Sequence, residues 1–183
     1  MKLIARKISK KINNKIIFED ISFEIEKGIL LIKGKNGSGK TTLLKILAQF
    51  EKQTSGEIIY DDIKKFEISY LGHKLGIYLE LKVEENLRLF PVNEQFLKIF
   101  EIEKFLNYKT KNLSRGNLQK LAIIRALSKP GKLYLLDEPT VSLDEFSKEK
   151  FFSLIERLSK EKIIVITSHE FIPFHHQLLS LDQ

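Results

Sequence analysis

The chain has 183 residues, of which 43% are hydrophobic and 30% charged, with a formal net charge of +7 and no cysteine. That length suits one domain, or one domain with a subdomain, and buries a core without covalent staples. The lack of cysteine excludes disulfides and thiolate metal sites, no apolar run approaches the ~18 residues of a membrane span, and the opening Met-Lys-Leu-Ile-Ala-Arg-Lys has too short an apolar stretch for a signal peptide. A positive excess suits nucleic acid, anionic lipid or a polyphosphate ligand. Here it is mostly lysine scattered among isoleucine and asparagine, the composition of a solvated basic surface.

From the start, residues 1–26 read as extended. Ile21, Phe23 and Ile25 alternate with Ser22, Glu24 and Glu26, the mark of a half-buried strand. Lys27-Gly28 turns the chain into Ile29–Ile32, a continuous apolar run suited to a strand buried on both faces. Next comes Gly34-Lys35-Asn36-Gly37-Ser38-Gly39-Lys40-Thr41-Thr42, which fits the phosphate-binding loop pattern. Its glycines let the backbone take unusual dihedrals and lie close against phosphate. Successive amides form an anion nest at the start of the following helix. Lys40 reaches the β- and γ-phosphates, and the Thr41 hydroxyl can ligate Mg²⁺. Leu43, Leu47 and Phe50, with Leu44 beside them, give that helix its apolar face.

Thr54-Ser55-Gly56 is a turn before a strand at Glu57–Tyr60, which points to an antiparallel layer beside the nucleotide. Ile68–Leu71 is a short strand followed at once by Gly72-His73. Residues 83–107 read as helical, interrupted by Pro91, and form a small helical subdomain. A helix over Asn117–Ser128 stops at Lys129-Pro130-Gly131. Leu133–Leu136 is an apolar strand ending at Asp137-Glu138. Ser142-Leu143-Asp144-Glu145 has capping-box spacing before a helix carrying Phe151, Ile155 and Leu158. Ile163–Thr167 is the last buried strand and ends at Ser168-His169.

Four apolar strands are thus each followed by a chemically able group: the phosphate loop, His73, Asp137-Glu138 and His169. In an open parallel sheet, ligands bind beyond the carboxyl ends of the strands, so all four should face one crevice. An acid at Asp137 can hold Mg²⁺ directly or through water. Glu138 beside it is placed to orient or deprotonate the water that attacks a γ-phosphate.

Leu113-Ser114-Arg115-Gly116-Asn117 opens the 117–128 helix, with Ser114 as its N-cap. This resembles the signature sequence of the ATP-binding cassette (ABC) family. The other family landmarks follow the family order: Walker A at Gly34–Thr41, Walker B ending at Asp137 with Glu138, a D-loop at Val141–Asp144 and a switch histidine at His169. The resemblance covers nearly the whole chain. It implies an α/β fold, a P-loop NTPase with a RecA-like core of mainly parallel sheet, an N-terminal antiparallel β layer and a small helical subdomain. Residues 1–72 and 131–183 would form the core and 73–130 the subdomain. It also implies ATP and Mg²⁺ as ligands, with Thr41 and Asp137 on the metal, Glu138 on the attacking water and His169 at the γ-phosphate. A second copy of the chain or a similar ATPase subunit, head to tail, would close each site with Ser114, Gly116 and Asp144. Membrane-spanning subunits would be the partners, met in part by exposed positions of the helical subdomain, with the chain peripheral on the cytoplasmic face of the membrane.

A closer resemblance lies in Tyr70-Leu-Gly-His73, Gly76-Ile77, Glu80-Leu81 and Glu85-Asn86-Leu87, which is similar to the ATP-binding subunits of haem exporters in cytochrome c maturation. There a Gly-His pair is typical where most ABC proteins carry glutamine, which adds His73 to the catalytic set. Direct haem binding is not expected, and His175 and His176 read as surface histidines. Two departures from the ABC pattern stand out. Arg115 and Asn117 replace the commoner Gly and Gln of the signature, and Ile12 falls where an aromatic usually stacks on adenine, with Phe18 the nearest ring. Other small ABC exporters are the alternative, and a nucleic-acid-associated ABC ATPase is less expected because relatives of that kind resemble tandem or coiled-coil-split cassettes.

Overall fold

The computed structural model describes residues 1–169 and 172–181. In chain order the strands are β1 (Lys2–Ile12), β2 (Lys15–Ile25), β3 (Gly28–Lys33), β4 (Ser55–Asp61), β5 (Ile68–Leu71), β6 (Leu133–Asp137), β7 (Ile163–Thr167) and β8 (Gln177–Ser180). The α-helices are α1 (Lys40–Leu47), α2 (Val83–Leu87), α3 (Glu94–Ile99), α4 (Arg115–Ser128) and α5 (Glu145–Ser159). β1, β2 and β4 make an antiparallel sheet in the order β2-β1-β4. Asn13 and Asn14 connect β1 to β2 with positive φ at both residues, the two-residue turn whose twist suits a hairpin. The other strands form a parallel sheet in the order β5-β6-β7-β3-β8.

The period-2 alternation within the apolar strands sorts their side chains onto two cores. Ile29, Leu31, Tyr134, Leu136, Ile164 and Ile166 pack with α4 and α5 on one face. Leu30, Ile32, Leu133, Leu135, Ile163 and Val165 pack with α1 and the antiparallel sheet on the other. Both faces are therefore dry, which is why these strands read as unbroken apolar runs. On α1, Leu43, Leu44, Ile46 and Leu47 are all buried.

Several sequence expectations need correction. Phe50 lies beyond the end of α1, 65% exposed, with its ring edge-on to Tyr70 at 5.3 Å. Residues 83–107 are helical only in two short helices, parted around Pro91 as expected, and a 3₁₀ turn. Here α2 ends before Pro91, whose fixed φ and absent donor bar a continuous helix. The N-cap of α5 is Asp144, not Ser142, and Ser142 has a φ of +72°. β7 is the last buried strand, and a further strand the sequence did not announce, β8, adds to the β3 edge. β8 is largely exposed, so it carries no apolar run to announce it.

The segment after β5 is held by Asn86, 1% exposed on α2. Its Oδ1 accepts from Tyr78 N at 2.8 Å, and its Nδ2 donates to Tyr78 O, Lys82 O and Thr110 Oγ1. Glu85 caps α2 by accepting from Lys82 N at 2.6 Å. Gly76 has φ +64°, and a Cβ there would lie 3.1 Å from the Arg125 guanidinium. The Gly76 and Glu85-Asn86 positions thus set the path of the loop that delivers His73.

Candidate nucleotide site

Every strand of the parallel sheet runs the same way, so the ends of β3, β5, β6 and β7 meet at one rim. β3 feeds the phosphate loop and α1 starts at Lys40. The N-cap is Gly39, left-handed at φ +95° and without a side-chain cap, so the first amides of α1 keep their donors for an anion. A Cβ on Gly39 would lie 2.6 Å from Ile17 Cγ2, and only glycine satisfies both the dihedral and the space. Lys40 is buried, and its Nζ donates to Gly34 O at 2.6 Å and Lys35 O at 3.1 Å. The ammonium is therefore already folded back over the loop that it would share with phosphate. Ser38 Oγ is buried in the same loop without a hydrogen-bond partner among the described residues.

β6 delivers Asp137, whose side chain is 1% exposed. The carboxylate is not left alone: Thr41 Oγ1 donates to Oδ2 at 2.7 Å and Thr167 Oγ1 donates to Oδ1 at 2.8 Å. Thr167 also accepts from Glu138 N at 2.8 Å. That bond holds Glu138 with φ at +46°, a left-handed position that a non-glycine residue takes only when its surroundings impose it. Glu138 then points its carboxylate to the rim, where His169 Nε2 lies 3.3 Å from Oε1. From β5, Gly72 leads into His73. A Cβ on Gly72 would sit 2.5 Å from the Tyr70 hydroxyl, so a side chain at 72 would have to displace the Tyr70 ring. His73 Nε2 ends 3.4 Å from both Thr41 Oγ1 and Asp137 Oδ2. Burial, then the negative field of Asp137, raises the Tyr70 phenol to about 12.

Lys40, Thr41, His73 and Glu138 line one cavity of about 370 Å³, with Asn36, Gly37, Thr42 and Ile17. The hydroxyl and carboxylate donors suit a hard divalent cation such as Mg²⁺, which favours oxygen ligands. Neither Ile12 nor Phe18 borders this cavity: Ile12 is exposed at the hairpin end, and Phe18 is buried in the core. Ile17 borders the cavity, and Phe18 also touches the loop, with its ring 3.0 Å from where a Gly39 Cβ would lie, and lines an adjoining cavity of about 270 Å³ with Lys35, Asn36, Gly37 and Ser38.

Ser114, Gly116 and Asp144 are not brought to Lys40. Ser114 is exposed and caps α4 by accepting from Asn117 N at 3.2 Å. Gly116 packs on the chain's own D-loop, where a Cβ would meet Ser142 O at 2.7 Å. Asp144 accepts from Ser147 N and Ser147 Oγ, both at 2.8 Å, and these bonds, with Lys120 alongside, hold its carboxyl at about 2. Arg115 lines a second cavity of about 250 Å³ that adjoins the first through His73 and Glu138. His175 and His176 lie outside both cavities, with His176 Nδ1 2.7 Å from Phe174 O.

Two organising residues carry little sequence signal. Thr167 reads in the sequence only as the end of β7, and its place beside the end of β6 comes from the sheet order. Gln119, whose Nε2 donates to Pro139 O at 2.8 Å, ties α4 to the peptide after Glu138 and carried no signal.

Residues 18–141 match the ABC transporter family. The chain belongs to that family. This ABC ATPase is 33% identical over 177 residues to the cytochrome c biogenesis ATP-binding export protein CcmA of Legionella pneumophila (strain Lens), covering 87% of this chain and 88% of that protein. It is 34% identical over 168 residues to the zinc import ATP-binding protein ZnuC of Rickettsia bellii, covering 87% of this chain and 71% of that one. Among solved structures, a putative ABC transporter ATP-binding protein from Pyrococcus furiosus superposes with a TM-score of 0.85 at 29% identity, over 99% of this chain and 98% of that one. The ATP-binding cassette MJ0796, solved as a dimer in a post-hydrolysis state with ADP and Pi, gives 0.79 at 26% identity, over 92% and 88%. The chain is an ATP-binding, ATP-hydrolysing ABC subunit, and no described helix is long and apolar enough to cross a membrane.

Proposed function

We propose that this ATPase drives a haem exporter of cytochrome c biogenesis, bound to the cytoplasmic face of membrane-spanning subunits. The supporting observation is the likeness to CcmA, which extends over most of both chains. Zinc import is the second reading, because ZnuC proteins reach a similar identity.

In this reading the loop amides and Lys40 hold the ATP phosphates. Thr41 and Asp137 hold Mg²⁺, which when bound offsets charge on the β- and γ-phosphates. Glu138 orients a water whose oxygen attacks the γ-phosphorus as the bond to ADP breaks, and His169 stands at the γ-phosphate. The second half of each site comes from another copy of the chain, through Ser114, Gly116 and Asp144. The exposure of Ser114 supports this, since a capping serine buried in its own subunit could not reach a neighbour's nucleotide. The membrane subunit would seat in a cleft of about 360 Å³ lined by Phe50, Tyr70, Phe90 and Arg125. Arg125 Nε is buried with no hydrogen-bond partner among the described residues, which fits a surface completed by another protein.

The test replaces the wild-type chain in its own cells with Glu138→Gln. Loss of covalently haem-loaded c-type cytochromes with unchanged zinc accumulation supports haem export. Normal cytochromes with failed zinc uptake assigns the motor to zinc import instead.

A further inference from the structure

We propose that the groove between α3 and α5 is a docking site for an acidic amphipathic helix of a partner protein. The groove encloses about 710 Å³ and shares no lining residue with the nucleotide cavities or with the cleft offered to the membrane subunits. Along α5 it is lined by Phe146, Lys150, Ser153, Leu154 and Arg157, which at i, i+4, i+7, i+8 and i+11 share one face of that helix. Lys98 and Ile99, the last two residues of α3, form the facing wall.

Two features set this surface apart from an ordinary solvated helix face. The first is apolar. Phe146 is a large ring left 57% exposed, with Lys150 Nζ 4.0 Å from its centroid, and the buried Leu154 and half-buried Ile99 give the groove an apolar floor. The second is charge. Lys98, Lys150 and Arg157 line the groove against a single carboxylate, Glu149. Lys150 already meets Glu101 at 3.6 Å, whereas neither Lys98 nor Arg157 has an ion pair among the described residues. Each of those two sits in the last turn of its helix, where a cation suits the dipole, but that role needs no apolar floor between them.

The lining selects its occupant. An apolar floor between two helical walls takes the nonpolar stripe of a third helix, and cations beside it favour carboxylates that flank the stripe. From Phe146 to Arg157 the groove follows α5 for about 16 Å at about 1.5 Å per residue, the length of about three turns of an incoming helix. Lys150 and Arg157 lie about two turns apart, so acids at i and i+7 would meet both. An exposed aromatic ring beside an arginine is the pairing that carries most binding energy at protein interfaces. A nucleic-acid backbone calls for cations but not for the apolar floor, and a flat bilayer surface does not reach the bottom of a groove walled on both sides.

The experiment places the photo-crosslinker p-benzoylphenylalanine at Phe146 of the full chain in its own cells, with Leu178, exposed on β8, as the control position. Mass spectrometry of the adduct is expected to identify a segment of another protein that carries Asp or Glu beside apolar residues at helical spacing. A synthetic peptide of that segment should bind the purified chain. It should bind about tenfold more weakly to Phe146→Ala and to the double variant Lys98→Glu with Arg157→Glu, and the second loss should shrink in about 1 M salt. Replacing the peptide's acids by lysine should restore binding to the charge-reversed chain, and unchanged ATP turnover in both variants shows that the fold is intact. Adducts with phospholipid, with nucleic acid or with a second copy of this chain overturn the proposal. So do an adduct segment without acids, no adduct beyond those made from Leu178, and a peptide that binds wild type and both variants alike.

Discussion

Thr167→Val tests the arrangement at its least obvious point. Valine matches threonine in shape, so the substitution removes a hydroxyl without opening a cavity. Thr167 is fully buried, and two bonds go with its hydroxyl: its donation to Asp137 Oδ1 and its acceptance from Glu138 N, both at 2.8 Å. A hydrogen bond to a charged group contributes about 1.5–3 kcal/mol, and a buried amide left unpaired costs about 1–3 kcal/mol. The apolar methyl gained offsets part of this, so the expected loss is about 2–5 kcal/mol. With a urea dependence of about 2 kcal/mol per M for a chain of this size, the unfolding midpoint should fall by about 1–2.5 M with its slope unchanged. Glu138 also loses the bond that holds its positive φ. Turnover should then fall about 10–100-fold, the cost of a misplaced catalytic group, while nucleotide affinity holds because Lys40 and the loop are untouched. A midpoint within 0.2 M of wild type, or a full turnover rate, would refute Thr167 as the organiser of the Asp137-Glu138 pair.

Two other expectations concern groups with different roles. Lys40→Ala should lower ATP affinity at least about 100-fold, since it removes a buried, preorganised cation from the phosphate site; unchanged binding by fluorescence or calorimetric titration would contradict the loop assignment. Asp144→Ala removes the cap of α5 and should cost about 1 kcal/mol at neutral pH. Asp144 has a folded pKa lowered from 3.8 to about 2, so its contribution is complete above pH 4 and disappears as pH falls through about 2. Wild type and variant should therefore converge in stability near pH 2, and a gap that persists there would mean the cap does not depend on charge.

The legible parts of this protein were those written in local chemistry. The Gly34–Thr41 spacing fits a phosphate-binding loop because glycines that free the backbone, set before Lys40 and Thr41 at a helix start, form a local pattern, and the structure gives Gly39 the left-handed N-cap position that pattern expects. Ile29–Ile32, Leu133–Leu136 and Ile163–Thr167 read as buried strands because helices and a second sheet cover both faces. The unread parts were those where another element overrode the local signal. Ser142 has capping-box spacing, yet Asp144 caps α5 because its carboxylate meets the Ser147 amide. Ile12 falls where an aromatic usually stacks on the base and is exposed at the hairpin end, whereas Phe18, the nearest ring, is buried against the loop together with Ile17, a placement that depends on hairpin register.

By itself the sequence determined the ABC family, the order of its elements and which chemically able residues follow the ends of the apolar strands. Only the tertiary structure decided that Thr41, Asp137 and His73 form one triangle, that Thr167 rather than solvent satisfies Asp137, and that Ser114 faces outward. The reason is physical: apolar periodicity and glycine placement act within a few residues, whereas the position of one strand end against another depends on how the sheet is ordered and on what packs over both of its faces.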